Sequence, residues 1–166
     1  IDFNNTPAVL LGSSEAGEAA YAKTFDTMAA CLAAEMAGGA ERLREDAMEF
    51  VAMRMQFGRT IASFQVTKHK AADMLLEVEL AKSAAYAAAA ALDDHEPDAS
   101  AIVSLAKAAG SDTYMQTVIH AVQLHGGIGF TWDQDCHLGF KRAKSSEVML
   151  GDPAYHRELM MQRWQA

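Results

Sequence analysis

Apolar residues recur every three or four positions over most of the chain, a period that predicts helices rather than strands. The first long pattern runs through Phe25, Met28, Leu32, Met36, Ala40, Leu43, Ala47 and Phe50, with Glu41, Arg44, Glu45 and Glu49 on the opposite face. It opens at Ser13 or Ser14, either of which suits an N-cap. Gly38-Gly39 lies inside it and predicts a bend or a close helix approach. A second helix is expected from about Phe64 to Leu92, with Phe64, Lys68, Ala72, Leu75 and Leu76 helically spaced. Its run Ala87–Ala91 has high helix propensity but little volume, so it must face another backbone closely. A polar loop over Asp93–Asp98 leads to a third helix, Pro97 to Leu124, with Pro97 in the first turn. Ile102, Leu105, Ala109, Met115 and Ile119 form much of its expected inner face, and Gly110-Ser111 marks a local irregularity. A short fourth helix is expected over Asp135–Lys144. A fifth follows Gly151, with Asp152 as N-cap and Pro153 in the first position. No segment alternates as a strand does, apart from the start, so the fold class is all-α.

Composition adds the kind of packing and excludes some partners. Abundant alanine and only 3 prolines in 166 residues suit helices packed through small side chains. A formal net charge of −8 argues against nucleic acid or an anionic membrane as the main partner. Cys31 and Cys136 have no metal or redox spacing, which fits a reducing compartment and a cytoplasmic location. No apolar run reaches the length of a membrane span, and no signal peptide is visible. Residue 1 is isoleucine, and Ile1 to Gly12 reads as an extended tail or linker from a missing preceding domain, with residues 13–166 forming the helical domain.

Two stretches interrupt the helical patterns. Arg54 to Gln65 carries two arginines around a Gln56-Phe57-Gly58 core and ends in Phe64-Gln65. Spare N–H groups at a helix junction, a planar guanidinium and side-chain amides suit a phosphate-bearing ligand. Taken by themselves, loop arginines are more often solvated than ligating. Gln123 to Trp132 holds three glycines in four residues, which end a helix and expose backbone. The Glu-x-x-His spacing of di-iron bundles is absent, as are a P-loop, a dinucleotide fingerprint and a nucleophile elbow. His69/Asp73 and Asp152/His156 are i,i+4 pairs that read as surface contacts, and no metal site is expected. His120, His125 and His137 read as structural histidines.

Arg54-Met55-Gln56-Phe57-Gly58-Arg59-Thr60-Ile61-Ala62-Ser63-Phe64-Gln65 resembles a C-terminal signature of acyl-CoA dehydrogenases. Gln123-Leu124-His125-Gly126-Gly127-Ile128-Gly129-Phe130-Thr131 resembles the second. His137-Leu138, Lys141-Arg142-Ala143 and Leu150 to Arg157 resemble an actinobacterial-type branch. The resemblance implies an up-down four-helix bundle with a short extra C-terminal helix, and a chain that lacks the family's N-terminal helical and middle β-domains. It implies FAD-dependent α,β-dehydrogenation of an acyl-CoA thioester in a homo- or hetero-oligomer, with an electron-transferring flavoprotein as the common acceptor. It also implies that Arg54 contacts the FAD pyrophosphate across a subunit interface. Gln56, Phe57, Phe64 and Gln65 would line the same FAD, and Gln123, Leu124, His125, Gly126 and Gly127 would hold its ADP portion.

One departure stands out. The reaction needs a carboxylate to remove the α-proton. The family's usual glutamate position falls on Leu150, before Gly151, and the minority position on the first helix falls on Met28. Neither side chain takes a proton. Asp26 and Glu147 are the weak substitutes nearby; Glu35, two turns from Met28, is weaker still. Two readings stay open: an active enzyme whose base is Asp26 or Glu147, or a catalytically silent FAD-binding or structural subunit of a heteromeric dehydrogenase.

Overall fold

The computed structural model describes residues 2–164. Three long helices, α1 (Ser14–Met53), α2 (Gln65–Asp93) and α3 (Ala99–His125), are followed by two short ones, α4 (Cys136–Val148) and α5 (Pro153–Trp164). Residues 2–12 form no regular element. Ser13 caps α1, its Oγ accepting from Ala16 N at 3.2 Å, and Asp152 caps α5, its Oδ1 accepting from Tyr155 N at 2.8 Å. No described helix is long and apolar enough to cross a membrane.

α3 is the central post and packs against all four other helices. That position leaves little room on it. Its buried residues are mostly small or polar, including Ala101, Ala106, Gly110, Thr117 and Ala121, with Val103, Tyr114 and Val118 supplying larger volume. The expected stripe on α1 is buried from Leu32 to Ala47, with Phe25 and Phe50 half-buried at its ends, but Met28 is 49% exposed. Gly39 does not bend the helix. A Cβ there would sit 2.5 Å from Tyr114 Cζ, so Gly39 admits the ring of α3.

Two expected faces are corrected. α2 buries Thr67, Met74, Val78, Ala81, Ala85, Ala88 and Ala91, whereas Leu75, Leu76 and Leu80 point outward. Within the alanine run Ala88 and Ala91 are buried, and Ala88 packs with Ala29 and Ala33 of α1 and Val103 and Ala106 of α3. On α3, Leu105 and Ile119 are exposed, and Ile102, Ala109 and Met115 lie at the rim. Close helix contact selects small side chains for the inside, so the bulkiest residues mark the outer faces. Three local expectations also change. Pro97 precedes α3, whose N-cap is Asp98. Gly110-Ser111 continues the helix without a break, and α4 extends beyond Lys144 to Val148.

Candidate functional site

The two interrupting stretches meet at one end of the bundle. α1 and α3 both finish there, and the His125 ring stacks on Phe50 with centroids 4.3 Å apart. His125 Nδ1 donates to Ala121 O at 2.8 Å, so this histidine is held as a structural piece. Cys136, packed 3.4 Å from the same nitrogen, has its thiol pushed up by burial and stays protonated.

The Arg54–Gln65 junction is a small hairpin that the sequence pattern did not predict. β1 (Met55–Gln56) pairs antiparallel with β2 (Arg59–Thr60), in register Met55 with Thr60 and Gln56 with Arg59. The two-residue loop has φ +54 at Phe57 and +74 at Gly58. Positive φ at both central residues matches the right-handed strand twist of a tight hairpin. Glycine takes it freely, but phenylalanine does so at a cost of about 1–2 kcal/mol. The strain lifts Phe57 to the hairpin tip, where it is 90% exposed, edge-on to the half-buried Phe64. Arg59 is set 4.0 Å over the Phe64 ring. Arg54 ends α1, with its backbone tied to Phe50 O and Ile61 N. Its guanidinium is exposed and has no ion pair among the described residues. Gln56 and Gln65 are exposed too, and α2 begins at Gln65 without a side-chain cap; Thr67 and Lys68 N–H donate to Phe64 O, leaving the Gln65 and Val66 N–H groups at a positive helix end.

At the end of α3, Gly126 adopts φ +67, ψ −144, a conformation that excludes a Cβ. Gln123 is exposed, Leu124 half-buried, and Gly126 and Gly127 open to solvent. A groove of about 390 Å³ beside Gln123 is lined by Ile119, Phe130 and Phe140 among others. This end of the domain therefore offers two glycine-exposed backbones, a free guanidinium, unpaired side-chain amides and aromatic faces. Such a donor set fits a pyrophosphate flanked by planar rings.

The Leu150 region is built differently. Leu150 sits in the α4–α5 turn at φ +62, followed by Gly151 at +107. Its half-buried side chain packs against two core clusters, which contain Ala29, Leu32, Ala33 and Met36 of α1. Met28, the other expected base position, directly precedes Ala29 on α1. Val148, Met149 and Tyr155 beside Leu150 are exposed, as is Met28 on α1.

The nearby carboxylates are all engaged. Asp26 is 4% exposed. Its Oδ2 accepts from Ser100 Oγ at 2.6 Å, and Oδ1 lies 2.8 Å from Arg163 Nη2, in ion-pair range though not aligned as a hydrogen bond. Arg163 also donates to Ser100 O and Ser104 Oγ, both at 2.8 Å, closing a network across α1, α3 and α5. Glu147 pairs with Lys144. Glu35 accepts two bonds from Arg142, at 2.8 and 2.7 Å, and one from Ser146. Among the described residues, no three His, Cys, Asp or Glu side chains converge as a metal-binding set. His120 sits 3.3 Å from Lys70 Nζ and is held below the usual histidine range by burial and that ammonium. His137 packs against Trp132.

Sequence reasoning missed Lys107 and Arg163, and its reading of Asp152/His156 as a surface contact is corrected: His156 is fully buried and bonds Leu150 O. All three place a polar head inside the helical layer. A lysine flanked by Leu105-Ala106 and Ala108-Ala109 was the visible signal for the first.

Comparison with known proteins identifies the family. Residues 15–165 match the family described as acyl-CoA dehydrogenase, C-terminal domain. The chain is 39% identical over 128 residues to acyl-CoA dehydrogenase IpdE2 of Mycobacterium tuberculosis, covering 77% of this chain and 38% of that protein. Butyryl-CoA dehydrogenase from Megasphaera elsdenii superposes with a TM-score of 0.88 at 27% identity, over 93% of this chain and 40% of that one. The Tcur3481-Tcur3483 steroid ACAD, G363A variant, superposes with a TM-score of 0.82 at 27% identity, over 86% and 39%. The chain spans about two-fifths of the length of these proteins. Acyl-CoA dehydrogenases are FAD flavoproteins, and by the match over residues 15–165 this chain belongs to their family, corresponding to its C-terminal helical domain.

Proposed function

We propose that this chain is part of a flavin-dependent acyl-CoA dehydrogenase and contributes the surface on which a neighbouring subunit's FAD rests. The observation that carries the reading is the exposed, unpaired Arg54 guanidinium, set at the same bundle end as the uncapped start of α2 and the Gly126 turn. Arg54 would clamp the pyrophosphate with two N–H donors. Gln56 and Gln65 would orient the dinucleotide through their amides. Phe57 and Phe64 would cover an apolar face of it and exclude water. Gln123 and the open backbone at Gly126-Gly127 would hold the ADP portion. When bound, FAD supplies the acceptor for the hydride leaving the β-carbon of the acyl thioester.

A second observation favours the heteromeric version of this reading. Leu150 and Met28 take no proton, and Asp26, Glu35 and Glu147 are each neutralised by a basic partner. A carboxylate engaged by a guanidinium or ammonium group is not free to reach an α-proton. The silent subunit therefore lends its flavin shelf to a site whose base comes from another chain. The likeness to a steroid ACAD with the paired designation Tcur3481-Tcur3483 supports such a pairing. The test is Arg54→Ala in the intact assembly, followed by flavin quantitation. FAD content falls while folding is retained; equal FAD in both proteins would overturn the assigned role.

A further inference from the structure

The α4–α5 turn is held from inside the bundle. Lys107, midway along α3, is fully buried and has no ion pair among the described residues. Its ammonium donates to Ser111 Oγ at 3.0 Å, to Glu147 O at 3.2 Å and to Gly151 O at 3.0 Å. Three donors meet three acceptors. One acceptor is a last-turn carbonyl of α4, and another belongs to the turn itself. His156 is also fully buried, and its Nε2–H donates to Leu150 O at 3.0 Å. That bond fixes the tautomer and leaves Nδ1 as an acceptor without a partner. Burial holds both groups below their usual pKa ranges.

Ending a helix does not require a buried charge, because a left-handed glycine alone suffices. Here a leucine and a glycine are both left-handed, and the leucine does not favour that backbone. Hydrogen bonds from residues 107 and 156 land on the carbonyls of Glu147, Leu150 and Gly151, which bracket the strained position. The result is that the Leu150 side chain is seated against core clusters that include Ala29 and Leu32, neighbours of Met28 along α1.

We propose that Lys107 and His156 are positioning residues that hold the Leu150–Gly151 turn in its left-handed form and thereby fix an apolar wall, Leu150 with Met28, facing the acyl chain of a CoA thioester. The inference rests on the reading of positions 150 and 28 as acyl-facing. The experiment is hydrogen–deuterium exchange on the intact flavoprotein assembly, with and without butyryl-CoA or a steroid acyl-CoA. In wild type, a thioester slows exchange over residues 146–152. Lys107→Met and His156→Phe each speed exchange there at least tenfold, leave α2 unchanged and abolish the thioester protection. His156→Gln, whose amide can donate to Leu150 O, stays close to wild type. Unchanged exchange at the turn in both Lys107→Met and His156→Phe would overturn the staple. Faster exchange throughout the chain would reduce both residues to general stabilisers and overturn positioning. A turn loosened by the variants but never protected by either thioester would refute the acyl-facing reading while leaving the staple intact.

Discussion

The hairpin end and the Leu150 patch are both strained, but they are finished differently. At the hairpin end the strain exposes chemistry: Phe57 is lifted into solvent, Arg54 is unpaired, and glycine backbones lie open. At the Leu150 patch the strain buries chemistry. The leucine is folded down, two buried donor side chains occupy the turn carbonyls, and Asp26, Glu35 and Glu147 are each matched to a base, while Asp152 caps α5. A surface meant for a charged ligand keeps its donors free, whereas a proton-abstracting site needs a carboxylate kept free. The hairpin end meets the first condition, whereas Asp26, Glu35 and Glu147 do not meet the second, and the proposed silent-subunit reading rests on that contrast.

The comparison is most sharply broken at Asp26. Arg163→Met leaves a buried carboxylate without its partner and lowers stability by about 3–5 kcal/mol, measured by denaturant unfolding. Asp26→Asn also destabilises but leaves acyl-CoA-dependent flavin bleaching in the assembled enzyme intact. Loss of bleaching with unchanged stability would make Asp26 the base instead.

Arg54→Ala comes next. Loss of a charge-assisted contact of about 1.5–3 kcal/mol corresponds to roughly tenfold to hundredfold weaker FAD retention. As an exposed residue, it shifts unfolding of the flavin-free protein by less than about 0.5 kcal/mol. A similar stability loss with full flavin content would reverse the contrast between the two regions.

Gly39→Ala tests the packing that brings α1 and α3 together beneath both regions. Its Cβ meets the Tyr114 ring, and the overpacking costs about 1–3 kcal/mol. A melting temperature equal to wild type would show that the ring moves aside freely.

The smallest effect is a pH dependence. His156 and His120 have folded-state pKa values depressed below 6.5, chiefly by burial. The unfolded chain therefore binds more protons as pH falls below 6.5, and stability is lost progressively toward the folded pKa values. His156→Gln removes part of that slope as pH falls below 6.5 in thermal melts. An unchanged slope would mean that His156 contributes nothing to it.

Much of this was legible in the sequence, for definite reasons. The α1 stripe was readable because Leu32, Met36, Leu43 and Phe50 are large and regularly spaced. The faces of α2 and α3 were not, because alanine, serine and threonine do the inner packing while Leu75, Leu76, Leu105 and Ile119 point outward. Hydrophobicity ranks those residues in the wrong order when helices approach closely. The hairpin was hidden because Phe57-Gly58 lacks the Asn-Gly signal for positive φ at both loop positions. The signature residues Arg54, Gln56 and Gln123 were legible by their type and order, and the structure brings them to one end of the bundle. The pairing of Asp26 with Arg163 was invisible, since 137 positions separate two residues that only the packing of α5 unites.

The central claim is that this chain supplies a flavin shelf and no base. Its most direct test is to purify the intact protein alone and together with a homologous partner chain, then add acyl-CoA and follow the flavin absorbance. The account predicts bleaching only in the mixture. Bleaching by the protein alone would show that a base exists in this chain and contradict the account.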